Sequence, residues 1–121
     1  MKWSSGVVIL SLLSAAAGEA QTVGDEWRTL APMPSARQEI STAVLNGKIY
    51  VIAGFTSDGA STSTVEVYNP ATNKWASAQS IPIQNNHNSA AVAAGKLYTF
   101  GGVSNLAFVY DPAVNVWSPG T

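Results

Sequence analysis

Two short polar runs hold most of the side chains with chemical potential in this chain: Ala36-Arg37-Gln38-Glu39 and Asn85-Asn86-His87-Asn88. Arg37 offers a permanent cation with several donors, Glu39 a carboxylate that accepts, and the three asparagines amides that do both. His87 is the only histidine, and its ring suits either proton transfer or a single metal bond. Together, Arg37, Glu39, Asn85, Asn86, His87 and Asn88 are candidate ligand-binding residues for a polar partner such as a sugar, whose hydroxyls want donors and acceptors at once. The competing reading makes Arg37 and Glu39 structural hydrogen-bonding groups and the asparagines turn caps. With no second histidine, no cysteine and no carboxylates at ligand spacing, the sequence indicates no metal site and no cofactor.

The elements that must position these runs show in a repeat. Leu45-Asn46-Gly47-Lys48-Ile49-Tyr50 returns as Ala93-Ala94-Gly95-Lys96-Leu97-Tyr98, an offset of 48 that also relates Met33-Pro34 to Ile81-Pro82 and Gly54 to Gly102. After a shorter loop the offset becomes 42, so that Tyr68-Asn69-Pro70 matches Tyr110-Asp111-Pro112, and Asn73 and Trp75 match Asn115 and Trp117. Residues 40–45 lead into Asn46-Gly47, a two-residue hairpin turn in which both positions accept positive φ. Residues 48–54 run almost continuously apolar, the pattern of a strand covered on both faces. Thr64–Tyr68 precedes an Asn-Pro turn and residues 73–78 close the unit. Each repeat therefore predicts a four-stranded antiparallel meander, with a lone additional outer strand at Trp27–Leu30. The recurring Tyr50, Tyr68, Tyr98, Tyr110, Trp75 and Trp117 read as packing residues, because binding residues have no reason to repeat in register.

A period in the forties with strand-like grain is that of a propeller or related array. The small-Gly pair after the apolar strand, the Tyr before an Asn/Asp-Pro turn and the Trp a few places on resemble the kelch repeat. The resemblance runs over residues 27–118, with one departure at Ala53, where the family's double glycine survives only as Gly101-Gly102. It implies an all-β chain of kelch-type β-propeller blades within residues 21–121, repeat one spanning about 31–78 and repeat two about 79–118. Two blades make an incomplete propeller, since closed ones have about four to eight. A four-stranded sheet of this strand length presents a face of roughly 400 Å², about the largest apolar patch a monomer tolerates. Self-association or additional repeats are therefore expected to close the ring, the chain being either a fragment of a longer product or a self-assembling unit.

In such a meander the loops on one end gather Arg37, Gln38, Glu39, Asp58, Asn85, Asn86, His87, Asn88 and Asn105, while the other end has tight turns. The resemblance implies a non-catalytic binding module that contacts a protein or glycan through that loop end. Galactose oxidase and the sialic-acid mutarotase are enzymes of similar propeller type and form the alternative, alongside a truncated chain without independent function. The copper chemistry of galactose oxidase needs a cysteine and paired histidines, which are absent here. A mutarotase-like reading would draw on Arg37 and Glu39, the one cation and carboxylate near the channel. The residues therefore favour binding over catalysis.

Six basic residues against seven acidic ones, and no run of like charge, argue against nucleic acid or an anionic membrane as the main partner. Lys2, the apolar run Gly6–Ala17 and the small residues before Gln21 have the layout of a signal peptide over residues 1–20, cleaved between Ala20 and Gln21, with Ala17 and Gly18 as alternative last residues of the removed segment. The run is shorter than the roughly 18 apolar residues of a membrane span, so a secreted or periplasmic product free of the membrane is expected. N-terminal sequencing of exported material should begin at Gln21 or within a few residues of it, and an intact Met1 or Lys2 would overturn the export reading.

Overall fold

A computed structural model describes residues 27–120; the expected signal peptide and its cleavage point at Ala20 and Gln21 lie outside the described residues. Blade one contains β1 (Ser41–Leu45), β2 (Lys48–Ile52), β3 (Val65–Asn69) and β4 (Lys74–Ala78), and blade two contains β5 (Ser89–Ala93), β6 (Lys96–Phe100), β7 (Ala107–Asp111) and β8 (Val116–Pro119). Each blade is a four-stranded sheet in sequential order, antiparallel throughout. Register repeats with the sequence: Tyr50 lies opposite Ala43 and Val67, as Tyr98 lies opposite Ala91 and Val109.

The backbone carries the duplication even where side chains differ. Positive φ recurs at Glu39 and His87, Asn46 and Ala94, Asn73 and Asn115, and at Ala53 with its counterpart Gly101. Ala53 and Gly54 both turn left-handed (φ 58° and 104°), which ends β2 at Ile52, two residues before the apolar run predicts. At Gly54 an added Cβ would lie 2.6 Å from the Gln38 carbonyl oxygen, and at Gly102 it would run into Asn85 and the Asn86 carbonyl. Only glycine permits that close approach. Gly101 has open space around its Cβ position, and Ala53 shows that alanine can occupy this site.

Each outer strand is clamped to the segment that leads into its own blade. The Trp75 Nε1–H donates to the Ala31 carbonyl while the Asn73 Oδ1 accepts from both the Ala31 N–H and the Tyr68 hydroxyl. Trp117, Gln79, Asn115 and Tyr110 repeat every one of these bonds. This clamp corrects the expectation for Trp27–Leu30: the stretch forms no strand, Trp27 is fully exposed, and pairing is replaced by side-chain bonds centred on Ala31. Trp117 is buried, whereas Trp75 is half-buried.

The core lies between the blades. One face of blade one, with Ala43, Leu45, Tyr50, Ile52, Val65 and Val67, packs with a face of blade two carrying Ala90, Leu97, Phe108, Tyr110 and Trp117. Tyr50 and Tyr110 meet at 5.7 Å between ring centroids, and burial pushes both phenols above their ordinary pKa. Asn88 ties the two blades, its Nδ2 donating to Ser41 Oγ in β1 and Thr99 Oγ1 in β6, each at 2.7 Å.

Where the incoming segment crosses the end of the second strand, the blades are locked differently. In blade one the Arg37 guanidinium, with no exposed side-chain surface, meets Glu66 at 2.7 Å and donates to the carbonyls of Ala53 and Thr64. Ser35 Oγ donates to the other Glu66 oxygen at 2.8 Å. At the three equivalent positions blade two has Ile83, Asn85 and Phe108. Asn85 still donates to the carbonyl of Gly101, the counterpart of Ala53, while Ile83 packs on the apolar cluster containing Phe108.

Two outcomes in urea unfolding follow. Gly101→Ala should cost only about 1 kcal/mol, the left-handed penalty, and Gly102→Ala at least about 3 kcal/mol because backbone must move; equal losses would refute the close-approach argument. Arg37→Asn alone should cost about 3–5 kcal/mol by leaving Glu66 buried and unpaired. The triple variant Ser35→Ile, Arg37→Asn, Glu66→Phe should recover to within about 1–2 kcal/mol of the parent, as a volume-matched apolar exchange does.

Candidate functional site

Strand order puts the β2–β3 loop (53–64), the β6–β7 loop (101–106) and the segments before β1 and β5 on one end of the blades, opposite the short turns. Backbone bonds lace these loops together. Gln38 and Phe55 exchange both N–H···O bonds. The Gly54 N–H donates to the Asn85 carbonyl, and the Asn85 N–H to the Thr62 carbonyl. The loop of blade one is thereby seated on the segment that starts blade two, and side chains on this end project from a fixed backbone.

The six candidate residues divide sharply by exposure. Arg37 is consumed by Glu66 and backbone carbonyls. Asn85, 2% exposed, uses its Oδ1 to accept from the N–H groups of Asn86 and Val103. Asn86 is also buried and donates to Ser61 Oγ at 2.6 Å. Asn88 is buried at the blade junction, with its Oδ1 unpartnered. These four side chains face inward and hold the loops in place.

Glu39 and His87 alone of the six reach solvent, with side chains 52% and 59% exposed. They occupy the same place in successive repeats, just before the inner strands, and their left-handed backbones bring them together: His87 Nε2 stands 3.4 Å from Glu39 Oε2, and the His87 N–H donates to the Glu39 carbonyl. The other ring nitrogen lies against Asn86 Oδ1, and the ring edge meets Phe55 at 5.6 Å and 81°.

Beside this pair, Ala36, Gln38, Phe55, Thr56, Asp58 and Gly59 border an open depression of about 520 Å³. Bonds from the Thr56 hydroxyl and the Ala60 N–H hold the Asp58 carboxyl below its ordinary pKa, so it is ionised at neutral pH. The depression thus offers an aromatic ring, an amide and a carboxylate, with Arg37 neutralised underneath by Glu66. It can accept hydrogen bonds from a polar or cationic group and pack an apolar one on Phe55. Among the described residues, no group of three or more His, Cys, Asp or Glu is placed to hold a metal ion.

Glu39 and His87 lie on the loop end that the sequence assigns them, but sequence reasoning missed Glu66, the partner that removes Arg37 from the surface. The available signal was a carboxylate in the otherwise apolar Thr64-Val65-Glu66-Val67-Tyr68, where burial demands a cation. Phe55 gave none beyond being a lone aromatic in a polar loop.

Comparison with known proteins agrees with this architecture. A family model described as the Kelch motif matches residues 36–82. A putative F-box/kelch-repeat protein of Arabidopsis thaliana is 38% identical over 105 residues, which is 86% of this chain and 30% of that protein. Kelch-like protein 40 of Mus musculus is 43% identical over 81 residues, or 67% of this chain and 13% of that protein. The chain therefore spans less than a third of the length of these curated relatives. The solved structure of YjhT superposes with a TM-score of 0.70 at 22% identity, covering 78% of this chain and 41% of that one. With its two four-stranded blades, its duplicated Tyr-Asn-Trp clamp and these likenesses, the chain belongs to the kelch-repeat family.

Proposed function

We propose that this chain is an exported interaction module whose loop end contacts a protein partner. The observation that carries the reading is the contrast between the two ends. The loop end sets the exposed Gln38 and Asp58 and the half-buried Phe55 around a depression of about 520 Å³ on a cross-laced backbone, with the exposed Glu39 and His87 on the same end. At the other end the strands are joined by tight turns such as Asn46-Gly47 and Ala94-Gly95. Fixed loops lower the ordering cost of association, and an aromatic ring with polar groups at its margin matches the aromatic centre and polar rim of a protein-binding patch.

The catalytic alternative needs Arg37 and Glu39 to act together on one substrate. Arg37 is buried against Glu66, and Glu39 meets His87 instead, an arrangement that fits recognition better than acid and base catalysis. A glycan ligand would use the same donors and acceptors and is distinguished by experiment.

The purified chain should be screened against exported proteins from its own source and, separately, on a glycan array, with Phe55→Ala, Asp58→Ala and the turn-end control Lys74→Ala in parallel. The expected result is a protein partner whose binding weakens about tenfold or more with Phe55→Ala or Asp58→Ala and is unchanged by Lys74→Ala. Binding lost only with Lys74→Ala would overturn the loop-end reading, and binding confined to the array would replace the protein partner by a glycan.

A further inference from the structure

Asn46-Gly47 is the turn of the β1–β2 hairpin, and its counterpart between β5 and β6 is Ala94-Gly95. All four residues have positive φ, between 48° and 73°. Leu45 pairs with Lys48 and Ala93 with Lys96, so the two turns match in geometry and differ in one side chain. Asn46 and Gly47 are both exposed, and an added Cβ at Gly47 or Gly95 would meet nothing within 4 Å. Packing therefore leaves the turn room to rotate, and glycine sets no side chain beside its own amide nitrogen. That nitrogen and the Asn46 side-chain carbonyl carbon are few enough bonds apart to close a ring.

The fold denies this step to the other asparagines. Asn69 precedes Pro70, which has no amide proton to lose. Asn73 and Asn115 are held in the Trp clamps, and Asn85, Asn86 and Asn88 are buried. Asn105 precedes Leu106, whose N–H donates to Ser104 Oγ and whose side chain crowds the nitrogen. Asparagine is a chemically labile residue, and only Asn46 combines exposure with a following glycine.

We propose that Asn46 is a site of spontaneous covalent modification, at which the side-chain amide is lost and aspartate and isoaspartate replace it. The Gly47 nitrogen, its proton removed by hydroxide, attacks the Asn46 side-chain carbonyl carbon. The new C–N bond closes a succinimide while the bond to the side-chain nitrogen breaks, and that nitrogen takes a proton from water and leaves as ammonia. Water then opens the ring. Opening at one carbonyl gives aspartate; opening at the other gives isoaspartate, whose main chain runs through an extra methylene. Asp-Gly suits the same hairpin turn, whereas the extra methylene pushes Leu45, 3% exposed, out of register with Lys48. Both products carry a new negative charge, but only isoaspartate disturbs the hairpin.

The test incubates the purified, folded chain in mildly alkaline buffer, with ion-exchange chromatography and peptide mapping by mass spectrometry. Acidic forms should accumulate with an equal amount of ammonia and map to residue 46 as aspartate plus isoaspartate, the other asparagines staying intact. Gly47→Ala should slow the change about tenfold or more, because its Cβ crowds the attacking nitrogen. Ala94→Asn should add a second reactive site at residue 94 with a comparable rate. The isoaspartate form should unfold at lower urea than the parent, and Asn46→Asp at the parent's midpoint. An Asn46 that stays intact overturns the proposal, as does faster loss at any other asparagine. Aspartate without isoaspartate would mean direct hydrolysis and overturn the ring closure. An unreactive residue 94 in Ala94→Asn overturns the dependence on the turn, and an isoaspartate form as stable as Asn46→Asp overturns the register argument.

Discussion

The fold depends on one crossing, made once per blade, where the segment leading to the inner strand passes over the end of the second strand. The approach is too close for any side chain on the glycine beneath, Gly54 or Gly102. It is held by a side-chain donor reaching the carbonyl one residue earlier, Arg37 to Ala53 and Asn85 to Gly101. Everything on the loop end is referenced to this crossing. It sets where the inner strand starts, where the β2–β3 loop of blade one departs, and how that loop meets the next blade through Asn85. The Trp and Asn clamps perform the same service at the outer strands.

The two crossings share a geometry but not a chemistry. Blade one buries an ion pair with an added serine hydroxyl, and blade two uses an amide with isoleucine and phenylalanine. An ion pair taken out of water roughly breaks even against apolar groups of similar volume, provided no member is orphaned. The duplicated units can therefore diverge at this point without losing the fold, but only if all three positions change together. Arg37 Nε has no partner, so the polar version is not fully satisfied.

Much of this fold is legible in the chain because it is local. Asn46-Gly47 specifies a hairpin whatever surrounds it, and the offsets of 48 and 42 bring the tyrosine, asparagine and tryptophan of both clamps into register. What escapes a reading of the residues depends on distant neighbours. Nothing near Arg37 announces that Glu66, 29 residues away, will claim it, and Asn85, Asn86 and Asn88 look equally suited to a ligand until the surrounding carbonyls and hydroxyls are in place. Left-handed backbone at Glu39 and His87 is illegible because it is uncommon outside glycine and is set here by the crossing. Trp27–Leu30 reads as a strand by propensity, but a clamp through Ala31 is a tertiary event that propensity does not report.

That left-handed pair has a consequence for how such a surface changes over generations. The conformation at residues 39 and 87 is imposed by the crossing and the backbone bond between them, while both side chains stand largely in solvent. Shape and chemistry are thus separated at this position. The frame sets where the Cβ points, and the residue attached to it can become acid, base, amide or glycine with little effect on packing. An array of such blades would hold one adjustable position per repeat around a common axis, so its recognition could be rewritten one unit at a time while the scaffold stayed the same.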